Sequence, residues 1–266
     1  MKFAVVFLLC SLSAFAQHEK SPGYAEYQTG LGLFNQAKYQ ESMTALDRAL
    51  HLDANLVPAL TLKAKLAMSI KRFDVARECL EHALSVEPSS WYAQFLYGFN
   101  YYQQNEMPRA IAALEKARRL NPRDPRAALY LGMAYETTGK TTEALSLYQE
   151  AIRLDDATGK LHVDALLTCA RLLMVMGDLD RAGSLVDRAI KDEPASRDAH
   201  FERGRFLLKK DQPAEAAKEG ETALRLRSGE ITDRQVHFLL VQVYQALGRE
   251  REAAQHAEAV RQAEKQ

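Results

Sequence analysis

An all-α array of stacked helix pairs is the fold class that this sequence predicts, and three observations predict it. An alanine recurs at Ala49, Ala83, Ala117, Ala151, Ala189 and Ala223, in steps of 34, 34, 34, 38 and 34 residues. Two further ladders of small residues keep the same steps. One runs Ser42, Ala76, Ala110, Ala144, Ala182 and Ala216, then reaches Ala253; the other runs Gly30, Ala64, Gly98, Gly132, Ala170 and Gly204. Between the ladders apolar residues step by three and four, as at Ala144, Leu147, Tyr148 and Ile152, which is helical spacing. No segment alternates apolar and polar residues as a half-buried strand would. A fixed period of this length marks a repeat array, in which each unit buries its apolar face only against its neighbours.

Composition narrows the function classes. The chain has 266 residues, 47% of them hydrophobic, so it can bury a core. Lys plus Arg and Asp plus Glu each number 35, and the formal net charge is zero. Nucleic acid and anionic lipid both select a net basic surface, so neither is the expected partner. Of the three cysteines, Cys10 lies in the leader, and the remaining two cannot form a disulfide framework.

Residues 1–16 read as a secretory signal peptide: Met1-Lys2, the apolar run Phe3 to Leu12, then the small-x-small pattern Ala14-Phe15-Ala16. The run is too short for a bilayer, which takes ~20 apolar residues. Cleavage after Ala16 would leave no membrane span and an exported, periplasmic or secreted protein. Leu9 before Cys10 is not the small residue that a lipidation signal resembles. Residues 17–22 form a short N-terminal segment. Seven helix pairs are then expected at about 23–56, 57–90, 91–124, 125–158, 163–196, 197–230 and 234–266. Gly139-Lys140, Gly177-Asp178 and Gly248-Arg249 supply turns within pairs. Asp124 before Pro125 reads as an N-cap with proline at the first helical position, and Pro108 and Pro213 sit where second helices begin. The fourth pair gains about four residues through Lys160, and an insertion around Ser228 to Asp233 displaces the seventh.

The small residues have a physical reason. Helix axes approach to ~8–10 Å only where the contacting side chains are small. The pattern resembles the tetratricopeptide repeat family over about residues 23 to 260. The third repeat carries Gly98, Tyr101, Ala110, Leu114, Ala117 and Pro122 at the family's signature places, and the fourth carries Leu131, Gly132, Tyr135, Ala144, Tyr148 and Ala151. Thr29, Asp156 and Val241 depart from the pattern. The resemblance implies a right-handed superhelical α-solenoid whose first helices line a concave groove, and a scaffold rather than an enzyme. It does not extend to the branch that clamps a chaperone tail's carboxylate, because Tyr27, Leu31, Pro58, Leu62 and Leu96 stand where that clamp has lysine and asparagine.

Ala134 to Thr141 (AYETTGKT) looks like a relaxed P-loop, which would make the chain a nucleotide-binding enzyme. A P-loop needs a strand before it and free amides, whereas Ala134 to Thr138 lies in an expected helix, so this alternative is disfavoured. The seven histidines show no metal-ligand spacing. His200 and His237, at matching repeat positions, read as half-buried structural residues. Cys79 and Cys169 read as small packing residues. No cofactor is expected.

What remains is a surface. In the third repeat Tyr92, Phe95, Phe99 and Tyr102 step by three, four and three and form one stripe, apart from Tyr97 and Tyr101, which flank Gly98 and face the paired helix. Tyr24, Tyr27 and Phe34 extend the stripe toward the N-terminus, and Leu129 and Met133 toward the fourth repeat. Arg171, Phe201, Arg205 and Lys209 follow, so the groove is expected to be aromatic first and basic later. Tyr92, Phe95, Phe99, Tyr102, Met133, Arg171, Phe201, Arg205 and Lys209 are the expected contacts of a protein or peptide partner in the groove. Envelope assembly, secretion or polysaccharide export is the process that the fold analogy suggests. The tyrosine-rich first helix is a second candidate surface, for self-association through the N-terminal repeat.

Overall fold

The predicted pairs at 23–56, 57–90, 91–124, 163–196, 197–230 and 234–266 each become two packed helices closed by the same kind of turn. The structure, a computed structural model, describes residues 21–159, 161, 163–227 and 229–263. The leader, most of the segment after it, Lys160, His162 and Ser228 lie outside the described residues. Fourteen α-helices and no strand occur among the described residues: α1 Tyr24–Asn35, α2 Tyr39–Leu52, α3 Val57–Ser69, α4 Phe73–Val86, α5 Trp91–Gln103, α6 Met107–Leu120, α7 Pro125–Thr137, α8 Thr141–Asp155, α9 Asp164–Met176, α10 Leu179–Asp192, α11 Arg197–Lys209, α12 Pro213–Arg225, α13 Asp233–Ala246 and α14 Glu250–Ala263. In sequence order they alternate as first and second helices of a repeat.

The turn inside every pair rests on one left-handed residue: Ala37, Lys71, Asn105, Gly139, Gly177, Asp211 and Gly248. The next amide then reaches back five residues, as in Arg72 N to Ala67 O (2.8 Å), Glu106 N to Tyr101 O (2.9 Å) and Gln212 N to Leu207 O (2.9 Å). This closure satisfies carbonyls that the helix end leaves open. Glycine adopts the conformation without strain, whereas Ala37, Lys71, Asn105 and Asp211 bear its cost.

The molecule divides into two compact units, split between Thr138 and Gly139. In the first, α1/α2, α3/α4 and α5/α6 pair, each second helix packs on the next first helix, and the first helices α1, α3, α5 and α7 pack in succession. Ala49, Ala83 and Ala117 are fully buried, and their carbonyls accept from Asp53, Glu87 and Asn121 at 2.9 Å as each second helix ends. Ser42, the polar member of its ladder, is buried and donates to Gly30 O at 2.7 Å. Gly32 lies on α1 with nothing within 4 Å of where a Cβ would stand. Gly32→Ala should therefore raise stability in a urea melt by about 0.5–1 kcal/mol, the helix cost of glycine; a loss would mean that α1 packs on that side.

In the second unit α8 precedes the pairs α9/α10, α11/α12 and α13/α14, and the first helices α9, α11 and α13 pack in succession. After α8, Leu161 and Val163 are buried, and Asp155 Oδ1 accepts from Leu161 N at 2.9 Å. Before α13, Thr232 and Gln235 form a reciprocal capping box, and Asp198 accepts from Glu230 N and Ile231 N, each at 2.9 Å. The last pair packs through large side chains where the glycines of the preceding pair make room. Leu240, fully buried, faces Gly220, and Leu239 faces Gly204.

Candidate partner-binding face

The aromatic stripe of α5 is assembled with help from α7. Ser90 precedes Trp91, and α5 then carries Tyr92, Phe95, Phe99 and Tyr102 on one side. Ring centroids step from Tyr92 to Phe95 (6.3 Å) and from Phe95 to Phe99 (6.2 Å), both stacked. Tyr130 of α7 closes over them, 5.8 Å from Phe95, 4.8 Å from Phe99 and 5.8 Å from Tyr102. The result separates the four predicted rings. Phe95 is 5% exposed and forms the floor, a correction to its place among surface contacts. Tyr92, Phe99 and Tyr102 are half-buried, as are Tyr130 and Met133. Leu129 is core.

Arg126 fixes one end of this face. The buried Asp124 carboxylate caps α7 by accepting from Arg126 N at 3.1 Å. It also accepts from Arg126 Nε and Nη2, both at 2.8 Å. That fork holds the guanidinium 5.2 to 5.4 Å from the Trp91, Tyr92 and Phe95 centroids, in cation–π range. Asp124 raises the Arg126 pKa, and burial raises the Tyr92 phenol, against the pull of Arg126. The ring faces at this end are therefore already occupied by a cation. Sequence reasoning missed Trp91, Arg126 and Tyr130, although Arg126, Tyr130 and Met133 share one helical face by their four- and three-residue spacing.

The rings of α1 are half-buried. Tyr24, Tyr27, Leu31 and Phe34 pack on the cluster of Leu46, Leu56, Ala59, Leu62 and Leu66. Lys65 lies over Phe34 at 4.7 Å. Burial, Tyr24 and Tyr92 together push the Tyr27 phenol up. Tyr101 is buried as the glycine ladder requires, and its hydroxyl donates to Tyr97, whose own hydroxyl donates to Glu81 at 2.9 Å.

In the second unit the expected basic stretch contains a buried acid. Glu202 is 3% exposed and accepts from Arg205 Nη1 at 2.9 and 3.1 Å. Arg171 Nε lies 3.9 Å from the same carboxylate, and its Nη2 donates to Thr168 Oγ1 at 3.0 Å. Burial raises the Glu202 carboxyl while Arg205 and Arg171 pull it down. Three predicted cations thus leave a smaller net charge than their number suggests. Lys209 is exposed, and Phe201 is buried at 8% exposure with Arg205 5.9 Å over its ring.

The P-loop lookalike is an ordinary helix end. Thr138 N bonds to Ala134 O at 3.2 Å, and Gly139 is the left-handed turn residue, so these amides serve the backbone. Cys79 and Cys169 are buried free thiols, and burial pushes Cys169 up to about 11. His200 is half-buried, with Nδ1 2.6 Å from Glu219 Oε2. His237 meets His256, which no spacing in the sequence suggested: their Nδ1 atoms are 2.8 Å apart. No group of three or more His, Cys, Asp or Glu among the described residues could hold a metal ion. No described helix is long and apolar enough to cross a membrane.

Comparison with known proteins agrees with this architecture. Tetratricopeptide repeat protein 37 of Xenopus laevis is 29% identical over 165 residues, 58% of this chain and 10% of that protein. The chain spans no more than about a third of the length of the curated relatives it matches. Among solved structures, Pseudomonas aeruginosa PilF has a TM-score of 0.67 at 20% identity, covering 80% of this chain and 95% of that one. PilW, described as a widely conserved type IV pilus biogenesis factor, has a TM-score of 0.69 at 17% identity, covering 77% and 92%. The tetratricopeptide repeat family model matches residues 61–111, 100–157 and 167–231, more than half of the sequence, and with the helix pairs and their ladders in place the chain belongs to the tetratricopeptide repeat family.

Proposed function

We propose that this chain is a non-enzymatic interaction scaffold that holds an extended peptide or a partner protein on the first-helix face of its first unit. The observation that carries the reading is the α5–α7 aromatic face. Tyr92, Phe99, Tyr102 and Tyr130 stand half-exposed over a buried Phe95 and beside an anchored Arg126. Rigid aromatic rings and arginine are the residue types that dominate binding energy at protein interfaces. Because Arg126 already occupies the ring faces at one end, apolar side chains of the partner suit the remaining rings better than a cation does.

Export to the periplasm or beyond is part of the proposal, supported by the Phe3 to Leu12 run and Ala14-Phe15-Ala16. A role in envelope assembly, secretion or polysaccharide export draws on analogy with PilF and PilW, a likeness of fold. Affinity capture from envelope extract tests the site. Tyr92→Ala with Tyr102→Ala should weaken capture by about 2 kcal/mol, while circular dichroism shows the same helicity. Capture that is unchanged by the double variant would place the partner elsewhere, with α1 the next surface to test.

A further inference from the structure

Within the second unit, the last helix pair is held together differently from the two pairs before it. α14 buries one side chain, Ala253. By contrast α10 buries Ala182, Gly183, Val186 and Ala189, and α12 buries Ala216, Ala217, Gly220 and Ala223. With so little apolar burial, α14 belongs to the part of the fold that opens most readily. Polar contacts therefore carry more of its attachment. His237 Nδ1 on α13 lies 2.8 Å from His256 Nδ1 on α14. The His256 ring stacks on Tyr244 at 5.4 Å, and its Nε2 is 3.5 Å from Glu221 Oε1 on α12. That same oxygen accepts from the Tyr244 hydroxyl at 3.0 Å.

Two like ring nitrogens at this distance share one proton, one donating and the other accepting. One extra proton is accommodated, since a ring protonated on both nitrogens still donates from Nδ1 to its neighbour. A second makes donors of both Nδ1 atoms, breaks the hydrogen bond and sets two cations side by side. The surroundings do not relieve this. Glu221 from α12 is shared with Tyr244, over which Arg249 lies at 4.7 Å. Asp233 at the start of α13 is engaged by Arg197 of α11 and by Arg227 at 3.2 Å. Burial first, then His256, holds the His237 imidazole below its ordinary value, with Arg197 adding to the depression and Asp233 and Glu221 opposing it.

We propose that the His237–His256 pair is a proton-sensitive latch that lets α14 leave α13 on acidification. The freed imidazole of His237 binds its proton near pH ~6.5, whereas in the closed pair it needs a lower pH. The open form therefore binds more protons in the interval between. The latch contributes fully above about pH 6.5 and is lost as pH falls from there toward the closed-state value. Opening uncovers the cluster that Ala253 shares with Val236, Leu240 and Val243.

Hydrogen exchange, corrected for intrinsic rate, tests this between about pH 7.5 and 5.0. Protection of α14 should fall several-fold more than that of α9–α12, since the open form binds the proton that the closed pair resists. His237→Gln, which keeps a donor and cannot ionise, should flatten that fall. Equal pH dependence in α14 and α9–α12, or an undiminished fall in His237→Gln, would overturn the latch. Should that variant misfold, the wild-type imidazole resonances decide: two titration steps with His237 last support it, and a common midpoint near pH ~6.5 refutes it.

Discussion

Phe95→Ala should cost the first unit about 3–5 kcal/mol, the usual range for removing an enclosed aromatic ring. The ring is 5% exposed. It touches Tyr92 and Phe99 along its own helix and Tyr130 across from α7, and Arg126 stands 5.4 Å from its centroid. Deleting it leaves the Tyr130 ring without its inner neighbour and the guanidinium without one of its three aromatic partners. The α5–α7 contact should collapse only partly, because Asp124 holds Arg126 in place by a two-point fork. Urea melts followed by fluorescence of Trp91, the single tryptophan, read this unit directly. A cost below about 1 kcal/mol would mean that the ring is not enclosed, and Phe95 would return to the partner-facing set.

This outcome also explains what the sequence could reveal. The helix pairs were legible because the constraint is local and repeated: a small residue wherever two helices cross, at a fixed step. Ala117 and Gly98 announce it without any knowledge of the partner helix. The depth of a stripe residue is not local. Phe95 and Phe99 look alike along α5, and their difference in depth depends on α7, thirty-odd positions on, where Tyr130 reaches both rings and Arg126 lies over Phe95. The burial of Glu202 is likewise not local: Arg205 is three residues away on α11, but Arg171 comes from α9. The meeting of His237 and His256 depends on the α13–α14 crossing and has no spacing signature. The left-handed turn residues were recognised where they are glycine, but Ala37, Lys71, Asn105 and Asp211 take the same conformation without advertising it. Their five-back hydrogen bonds compensate, so the fold overrides local preference at four of seven turns.

Gly98→Leu should cost about 3 kcal/mol, at the upper end of what overpacking an internal contact costs. A Cβ on Gly98 would stand 2.7 Å from Leu114 Cγ and 3.0 Å from Leu114 N. The closest approach is to the Leu114 side chain. Leu114 is itself fully buried and has no free direction in which to move. The better helix propensity of leucine returns only about 1 kcal/mol, too little to offset the clash. Pairing the change with Leu114→Ala separates two explanations. If the loss is steric, the double variant should be more stable than the two single costs added together, by roughly 1–2 kcal/mol of coupling. Simple additivity would mean that Gly98 is required for its backbone and not for its lack of a side chain. That result would undo the account of why the ladder is built of small residues.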